Sequence, residues 1–377
     1  MLLMVKMQSI KEHSSTIKAD VPKKDVHAKM EVFYNPLMVS NRDISILLLN
    51  SIENKKMNIA LPLAGSGIRG LRFLKELKKD KINHLFVNDK KATFRKMFKE
   101  NLEKNKLNEK NVSIYQEEAS LFLMNQINNE QKPDDFCGYF DYIDIDPFGS
   151  PNPFLSAAIA RISRRGIIAI TSTDTAALSG TYPKVTKRKY WAVPLRNYLM
   201  HEIGLRILIR KVQLLGVQFE KALTAILSYH KDHYLRVYFK SDNGKTKCDE
   251  IIKQHQYFLF NQKTLEFFPS SNNYQDGFQS CGPLWSGKLF DKKLIKKMVK
   301  DNPFPEEQKF LDLLNEEKDL LGFYDLHVIA KNQRKDPSKM KILLKKLEGT
   351  KTHFSRNGIK TKKKIKEILK IIKDNAS

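Results

Sequence analysis

Phe219-Glu220-Lys221-Ala222-Leu223-Thr224-Ala225-Ile226-Leu227-Ser228-Tyr229 and Tyr234-Leu235-Arg236-Val237-Tyr238-Phe239 are two apolar runs separated only by His230-Lys231-Asp232-His233. Runs rich in branched and aromatic side chains, joined by so short a polar connection, predict a β-hairpin. The chain ahead of it follows another pattern. Apolar strands at 57–63, 85–88, 112–115, 140–145 and 166–171 alternate with amphipathic helices near 68–79, 91–106, 118–128, 153–164 and 195–213. Strands interleaved with helices build a parallel, doubly wound sheet. The hairpin then closes that sheet with one antiparallel strand, an ending that separates it from an all-parallel dinucleotide-binding sheet.

Beyond this core, residues 1–31 read as an arm or small strands. After Ser241-Asp242-Asn243-Gly244-Lys245 the pattern changes, so two domains are expected, 1–241 and 242–377. The second contains a loop-rich stretch at 269–288, helices around 291–300, 305–320 and 337–347, and a lysine-rich amphipathic segment at 360–373. In that last segment Ile365, Ile368, Leu369 and Ile372 recur at helical spacing. Among 377 residues, 67 Lys and Arg outnumber 42 Asp and Glu, a net charge of +25. Such an excess favours a polyanionic partner, because each neutralised phosphate releases counterions. Cys137, Cys248 and Cys281 lie far apart, which argues against a disulfide framework or a four-cysteine zinc site and for a reducing, cytoplasmic setting. No apolar run approaches the length of a membrane span.

Two stretches carry chemistry. Ala64-Gly65-Ser66-Gly67-Ile68-Arg69-Gly70 follows a strand and opens a helix, so its glycines admit a ligand close to the backbone while the helix N-terminus favours the ligand's negative end. Asp89 ends the second strand, where an acid can hold a ribose diol, and Glu117, Glu118 and Ala119 follow the third, where an acid and a small residue can hold an adenine. Either NAD or S-adenosylmethionine suits that arrangement. Arg69, whose guanidinium can clamp a carboxylate, tips the balance to S-adenosylmethionine. The second stretch, Asp144-Ile145-Asp146-Pro147-Phe148-Gly149, runs from a strand into an acid, a proline and a ring. An exocyclic amine on a nucleobase is a poor nucleophile, and its hydrogens need acceptors. The Asp146 carboxylate can take one, the Pro147 carbonyl another, and Phe148 can stack on an extruded base.

These residues sit in a pattern that resembles the tRNA (guanine-26, N2) dimethyltransferase family in its archaeal form. The matching segments include Val32-Phe33-Tyr34-Asn35-Pro36, Asn41-Arg42-Asp43, Gly67-Ile68-Arg69-Gly70-Leu71-Arg72-Phe73, Asn88-Asp89 and Asp144-Ile145-Asp146-Pro147-Phe148-Gly149-Ser150-Pro151. Thr171-Ser172-Thr173-Asp174, Val193-Pro194-Leu195-Arg196, Gly282-Pro283-Leu284-Trp285, Phe323-Tyr324-Asp325 and Thr352-His353-Phe354-Ser355 extend the likeness over nearly the whole chain. The resemblance implies a Rossmann-like S-adenosylmethionine-dependent methyltransferase domain and a C-terminal α+β domain that grips tRNA, acting as a monomer. It implies Arg42, Arg69, Asp89, Glu118 and Ala119, with Gly65 and Gly67, as cofactor-binding residues. Asp146 is then the catalytic acceptor, with Pro147 beside it and Phe33 and Phe148 flanking the reacting centre.

Two departures from the family stand out. Leu61 occupies a place near the glycine loop where relatives carry an acid, and the cysteine pairs for zinc that some relatives have are lacking; Ser179, where a cysteine is common, reads as a tolerated core change. His230 and His233, three residues apart across a turn and with no third ligand in sight, read as hairpin contacts, and no metal is expected. Asp144 reads as a residue that orients the loop, and Asp174 as a helix cap near the substrate side. Arg164, Arg165, Lys184, Lys187, Arg188 and Lys189 are candidate phosphate contacts. An amino-group methyltransferase for rRNA or DNA, and a non-catalytic RNA-binding protein, remain the alternatives.

Overall fold

The computed structural model describes residues 7–20, 34–126, 133, 135–333 and 340–373. It divides into two compact units, one holding 1–171, 239–242 and 300–307, the other 172–238, 243–299 and 308–377. The sequence boundary near 241 falls within the 239–242 segment of the first unit.

The first unit opens with the antiparallel strands β1 (Met7–Glu12) and β2 (Ser15–Asp20). Helix α1 (Val39–Ser51) follows, and no helix is expected there from the sequence. Its residues from Asn41 to Leu49 are all buried. A helix covered on every side has no apolar stripe, so periodicity gives no signal. The alternating core then runs β3 (Met57–Leu61), α2 (Ile68–Glu76), β4 (Ile82–Asn88), α3 (Phe94–Lys104), β5 (Val112–Tyr115), α4 (Ala119–Asn125), β6 (Phe140–Ile145), α5 (Asn152–Arg161) and β7 (Ile162–Ser172). Strand β7 starts four residues earlier than the expected 166. Its pairing jumps from Phe140–Ile162 to Tyr142–Ile167, so the intervening residues bulge, with Arg165 at φ 65°.

The second unit opens with α6 (Thr175–Leu178), α7 (Pro183–Tyr190) and α8 (Met200–Gln218), followed by the hairpin strands β8 (Lys221–Lys231) and β9 (Tyr234–Asn243). Asp232, at φ 51°, and His233 make a two-residue connection that can only join antiparallel neighbours. The seven-stranded sheet has the order β5-β4-β3-β6-β7-β9-β8. The pairs β4–β5, β3–β4, β3–β6 and β6–β7 are parallel. Consecutive strands build outward from β3 on one side, and β6 starts the other side. In such sheets ligands bind at the carboxyl ends beside this reversal. The loops after β3, β4, β5 and β6, which carry the candidate site, all emerge there.

Strands β10 (His255–Phe260), β11 (Phe267–Ser270) and β12 (Gln279–Trp285) form a sheet ordered β11-β10-β12. Strands β13 (Tyr324–Asp325), β14 (Thr350–Thr352) and β15 (Ser355–Lys360) form another, ordered β13-β15-β14. The stretch 269–288 looked loop-rich because β12 contains Gly282 and Pro283, residues that ordinarily mark turns. The expected helices are present as Lys292–Lys300, Gln308–Glu316, Met340–Lys346 and Ile365–Lys373.

A buried ionic network lies inside this unit. Glu202 accepts from Arg206 Nε at 2.9 Å and from the Gly322 amide at 3.0 Å, and Lys360 Nζ stands 3.2 Å from its other oxygen. Lys360 also lies 3.5 Å from Glu317, which accepts from Thr352 Oγ1 at 2.7 Å and pairs with His353 Nδ1 at 2.7 Å. Burial alone would raise the Glu317 pKa, but His353 and Lys360 outweigh it and hold the carboxyl at about 2. In the first unit burial likewise opposes, and Arg42 and Arg72 overcome it, to hold Glu12 at about 2. Burial, with His201, His353 and His233 nearby, pushes His230 down to about 3. All three folded values lie below their ordinary ones, so the unfolded chain takes up more protons and stability falls with pH. We expect the urea midpoint to be level above pH 6.5, to fall as His230 resists protonation, and to fall again from about 4.5 towards 2. Burial likewise holds His255 at about 4, so His230→Phe should shrink the first decline without abolishing it and keep the second; an unchanged profile in that variant would contradict the assignment.

Candidate functional site

Strand β6 delivers two carboxylates to the carboxyl edge of the sheet. Asp144 is buried, and the Asp146 side chain is 20% exposed. Arg69, in the first turn of α2, reaches both: Nη2 lies 2.5 Å from Asp146 Oδ2 and Nη1 3.3 Å from Asp144 Oδ2. The same guanidinium donates to Asn41 Oδ1 at 2.8 Å and to Ser45 Oγ at 2.9 Å, both on α1. Asn41 in turn donates to Thr171 Oγ1 at 3.3 Å, and the Tyr142 hydroxyl donates to Asp144 Oδ2 at 2.6 Å. A planar guanidinium held at this many points has one orientation, and so does the carboxylate it pairs with. Asp144 and Asp146 thus share the Arg69 guanidinium.

After Asp146 the chain turns sharply. Pro147 is buried, Gly149 is at φ 78°, and Phe148 is left 49% exposed. An exposed phenyl ring beside a partly accessible carboxylate can stack on a flat ligand whose polar edge meets the acid. Phe33 lies outside the described residues.

The glycine loop is built for close approach. Gly65 and Gly67 have φ of 57° and 75°. A Cβ on Gly67 would lie 2.2 Å from the Phe98 ring, so no other residue fits. The Gly65 amide donates to Asp89 Oδ2 at 2.9 Å, and the Lys91 amide reaches the other oxygen of the same carboxylate at 3.2 Å. Asn88 fixes the surroundings: its side chain donates to the Pro62 carbonyl at 2.9 Å and the Glu117 carbonyl at 3.0 Å, and accepts from the Glu117 amide at 2.9 Å. One buried amide therefore ties together the ends of β3, β4 and β5. Leu61, buried, packs against Gly70, where a Cβ would come within 3.4 Å of its methyl. Glu118 caps α4, accepting from the amides of Ser120 at 2.7 Å and Leu121 at 3.0 Å, and Ala119 is buried beside it.

Arg42 belongs to a second charged cluster. Its Nε and Nη2 form a bidentate pair with Glu12 at 2.7 and 2.5 Å, and Nη2 also donates to the Asn35 carbonyl at 3.2 Å. The Tyr34 hydroxyl donates to Glu12 at 2.9 Å, and burial with the Glu12 charge raises its pKa to about 12. Arg72 lies 2.8 Å from Glu12 and 2.6 Å from Asp43. The β1–β2 hairpin thus holds Arg42 in place through Glu12, a residue to which the sequence reading gave no role. A signal existed in Asn41-Arg42-Asp43 and Ser45, four polar residues within an apolar run. Polar groups there must be paired if the run is buried.

In the second unit, Asp174 accepts from Lys189 Nζ at 3.0 Å and Tyr190 OH at 3.1 Å and makes no side-chain cap on α6. The expected capping role is therefore replaced by a tie to α7. The His201 and His230 rings stack at 3.9 Å. Among the described residues no three His, Cys, Asp or Glu are grouped so as to hold a metal ion. No helix among them is long and apolar enough to cross a membrane.

Comparison with known proteins gives this geometry its context. The chain is 34% identical over 386 residues to a tRNA (guanine(26)-N(2))-dimethyltransferase of Pyrococcus furiosus, covering 98% of this chain and all of the relative. It is 34% identical over 385 residues to a tRNA (guanine(26)-N(2)/guanine(27)-N(2))-dimethyltransferase of Aquifex aeolicus, covering 97% and 95%. Its fold is similar to that of Trm1 from Pyrococcus horikoshii, solved in complex with S-adenosyl-L-methionine, with a TM-score of 0.85 and 32% identity over 97% of this chain and 99% of that one. Residues 9–373 match the family model for N2,N2-dimethylguanosine tRNA methyltransferases, and the chain belongs to that family.

Proposed function

We propose that the protein transfers methyl groups from S-adenosylmethionine to the N2 amine of guanine 26 in tRNA, giving N2,N2-dimethylguanosine. The observation that carries this reading is the Asp146 carboxylate, aimed by Arg69 at 2.5 Å and followed by the exposed ring of Phe148. The loop fits the cofactor. Gly67 leaves no room for a side chain, and Asp89, anchored by the Gly65 amide, stands at the end of β4 where a ribose diol can bridge to it. Glu118 and Ala119 would hold the adenine, and Arg42 and Arg69 the cofactor's charged end. When bound, S-adenosylmethionine supplies a methyl group on a sulfonium.

The residues of the chain do the rest. Phe33 and Phe148 flank the extruded guanine and exclude water, and stacking offsets the few kcal/mol that base extrusion costs. Asp146 accepts one N2 hydrogen and the Pro147 carbonyl the other, which points the amine lone pair along the line of transfer. As the methyl carbon exchanged its bond to sulfur for one to nitrogen, leaving a neutral thioether, the nitrogen would become positive, and the Asp146 carboxylate would stabilise that charge and then take the proton. Residues 242–377 serve as the tRNA-gripping domain, and the protein works as a monomer in the cytoplasm.

The deciding experiment incubates the protein with labelled S-adenosylmethionine and unmodified tRNA transcripts carrying G26 or A26, and identifies the product nucleoside by mass. Dimethylguanosine from the first alone establishes substrate, atom and position. Label in neither, with the cofactor bound, would favour an rRNA or DNA amine instead. Asp89→Ala should weaken cofactor binding at least tenfold in calorimetry and leave tRNA affinity within twofold; equal losses in both would contradict the site assignment.

A further inference from the structure

Residues 175–201 contain no Asp or Glu, but they carry Lys184, Lys187, Arg188, Lys189 and Arg196. Helix α7 sits in the middle of this acid-free stretch. It is anchored on one side, with Thr186 buried and donating to the Ala177 carbonyl and Tyr190 buried and donating to Asp174 at 3.1 Å. Lys184, Lys187 and Arg188 are exposed on the other side. Lys189 is tied to Asp174 at 3.0 Å.

Large aromatics bracket the helix. Tyr182 is 58% exposed just before it and Trp191 47% exposed just after it. Trp191 takes the left-handed conformation, φ 55°, that helix ends usually give to glycine. Its backbone is fixed nonetheless, since its amide donates to the Lys187 carbonyl at 3.1 Å and its carbonyl accepts from Arg210 at 3.3 Å. Lys211 Nζ lies over the ring, 2.9 Å from its centre. A ring held outward with a cation on one face presents the other face for stacking.

We propose that α7, with Tyr182 and Trp191, is a docking surface for the tRNA backbone and an unpaired or terminal base. This rests on the tRNA reading above. Exposed cations flanked by exposed aromatics match the two attractions that RNA offers, phosphate charge and base faces. The same charges without rings, as on the helix Lys292–Lys300, match only the first.

The test reverses three charges together, Lys184→Glu, Lys187→Glu and Arg188→Glu, in the full chain. A matched control reverses the exposed Lys293, Lys296 and Lys297. S-adenosylmethionine binding serves as the folding check for both. For the α7 variant we expect the KM for tRNA to rise at least tenfold and the slope of log affinity against log salt to flatten by about 2–3. Trp191→Ala should weaken tRNA binding about fivefold or more, with the salt slope kept. Wild-type KM and slope in the α7 variant, or an equal loss in the control, would overturn the surface while leaving the methyltransferase standing. Wild-type protein that methylates no tRNA would instead overturn the reading on which the surface rests.

Discussion

Asparagine in place of Asp146 is expected to lower the rate of methyl transfer to tRNA by about 10²–10⁴-fold. The substitution keeps the shape of the side chain and one acceptor oxygen, but removes the charge that faces the developing cation. Arg69 loses its 2.5 Å partner and keeps Asp144, Asn41 and Ser45, so the guanidinium stays in place. The loss should therefore appear in the single-turnover rate with saturating tRNA, and cofactor affinity should change by less than threefold. A variant with a rate within threefold of the wild type would remove Asp146 from the chemistry. Because Arg69 serves both the acid and the proposed cofactor end, Arg69→Met should depress rate and cofactor affinity together.

Methionine in place of Lys360 should destabilise the chain by about 3–5 kcal/mol, because it removes a counter-charge shared by two buried carboxylates. The Lys360 side chain is fully buried between Glu202 and Glu317, 3.2 and 3.5 Å away, and donates to the Leu320 carbonyl at 2.7 Å. Removing it leaves Glu202 with Arg206 and Glu317 with His353. Urea denaturation measures the loss. Adding Glu317→Gln should recover part of it by discharging one of the stranded carboxylates, a non-additivity that independent sites do not show. If each single change costs less than 1 kcal/mol, the network is too well solvated to matter.

The sheet was legible because its strands and helices each show a period, and the hairpin 219–239 announced how it closes. That Asp146, Asp89 and the glycine loop follow strand ends was legible because each comes directly after an apolar run. What escaped has a common cause. Helix α1 is buried all round, β12 is disguised by Gly282 and Pro283, and the partners of Arg42 and Arg69 lie 24 to 77 residues away or across an element with no local signal. Periodicity reports which face of an element is covered. It does not report which distant charge covers it, and it gave Glu12, Asn41 and Tyr142 no role.

The two ionic clusters differ in when a growing chain can complete them. Among the described residues the partners of Glu12, Tyr34, Arg42 and Arg72, lie within the first 72 residues, so that cluster can close while most of the protein is still being synthesised. Glu202 and Arg206 meet early too, but Lys360 arrives more than 150 residues later, and Glu317 finds His353 only near the end. Domains assemble from the N-terminus as they emerge. The first unit can thus set its charges first, whereas a chain halted before residue 352 would hold Glu317 without Thr352, His353 or Lys360.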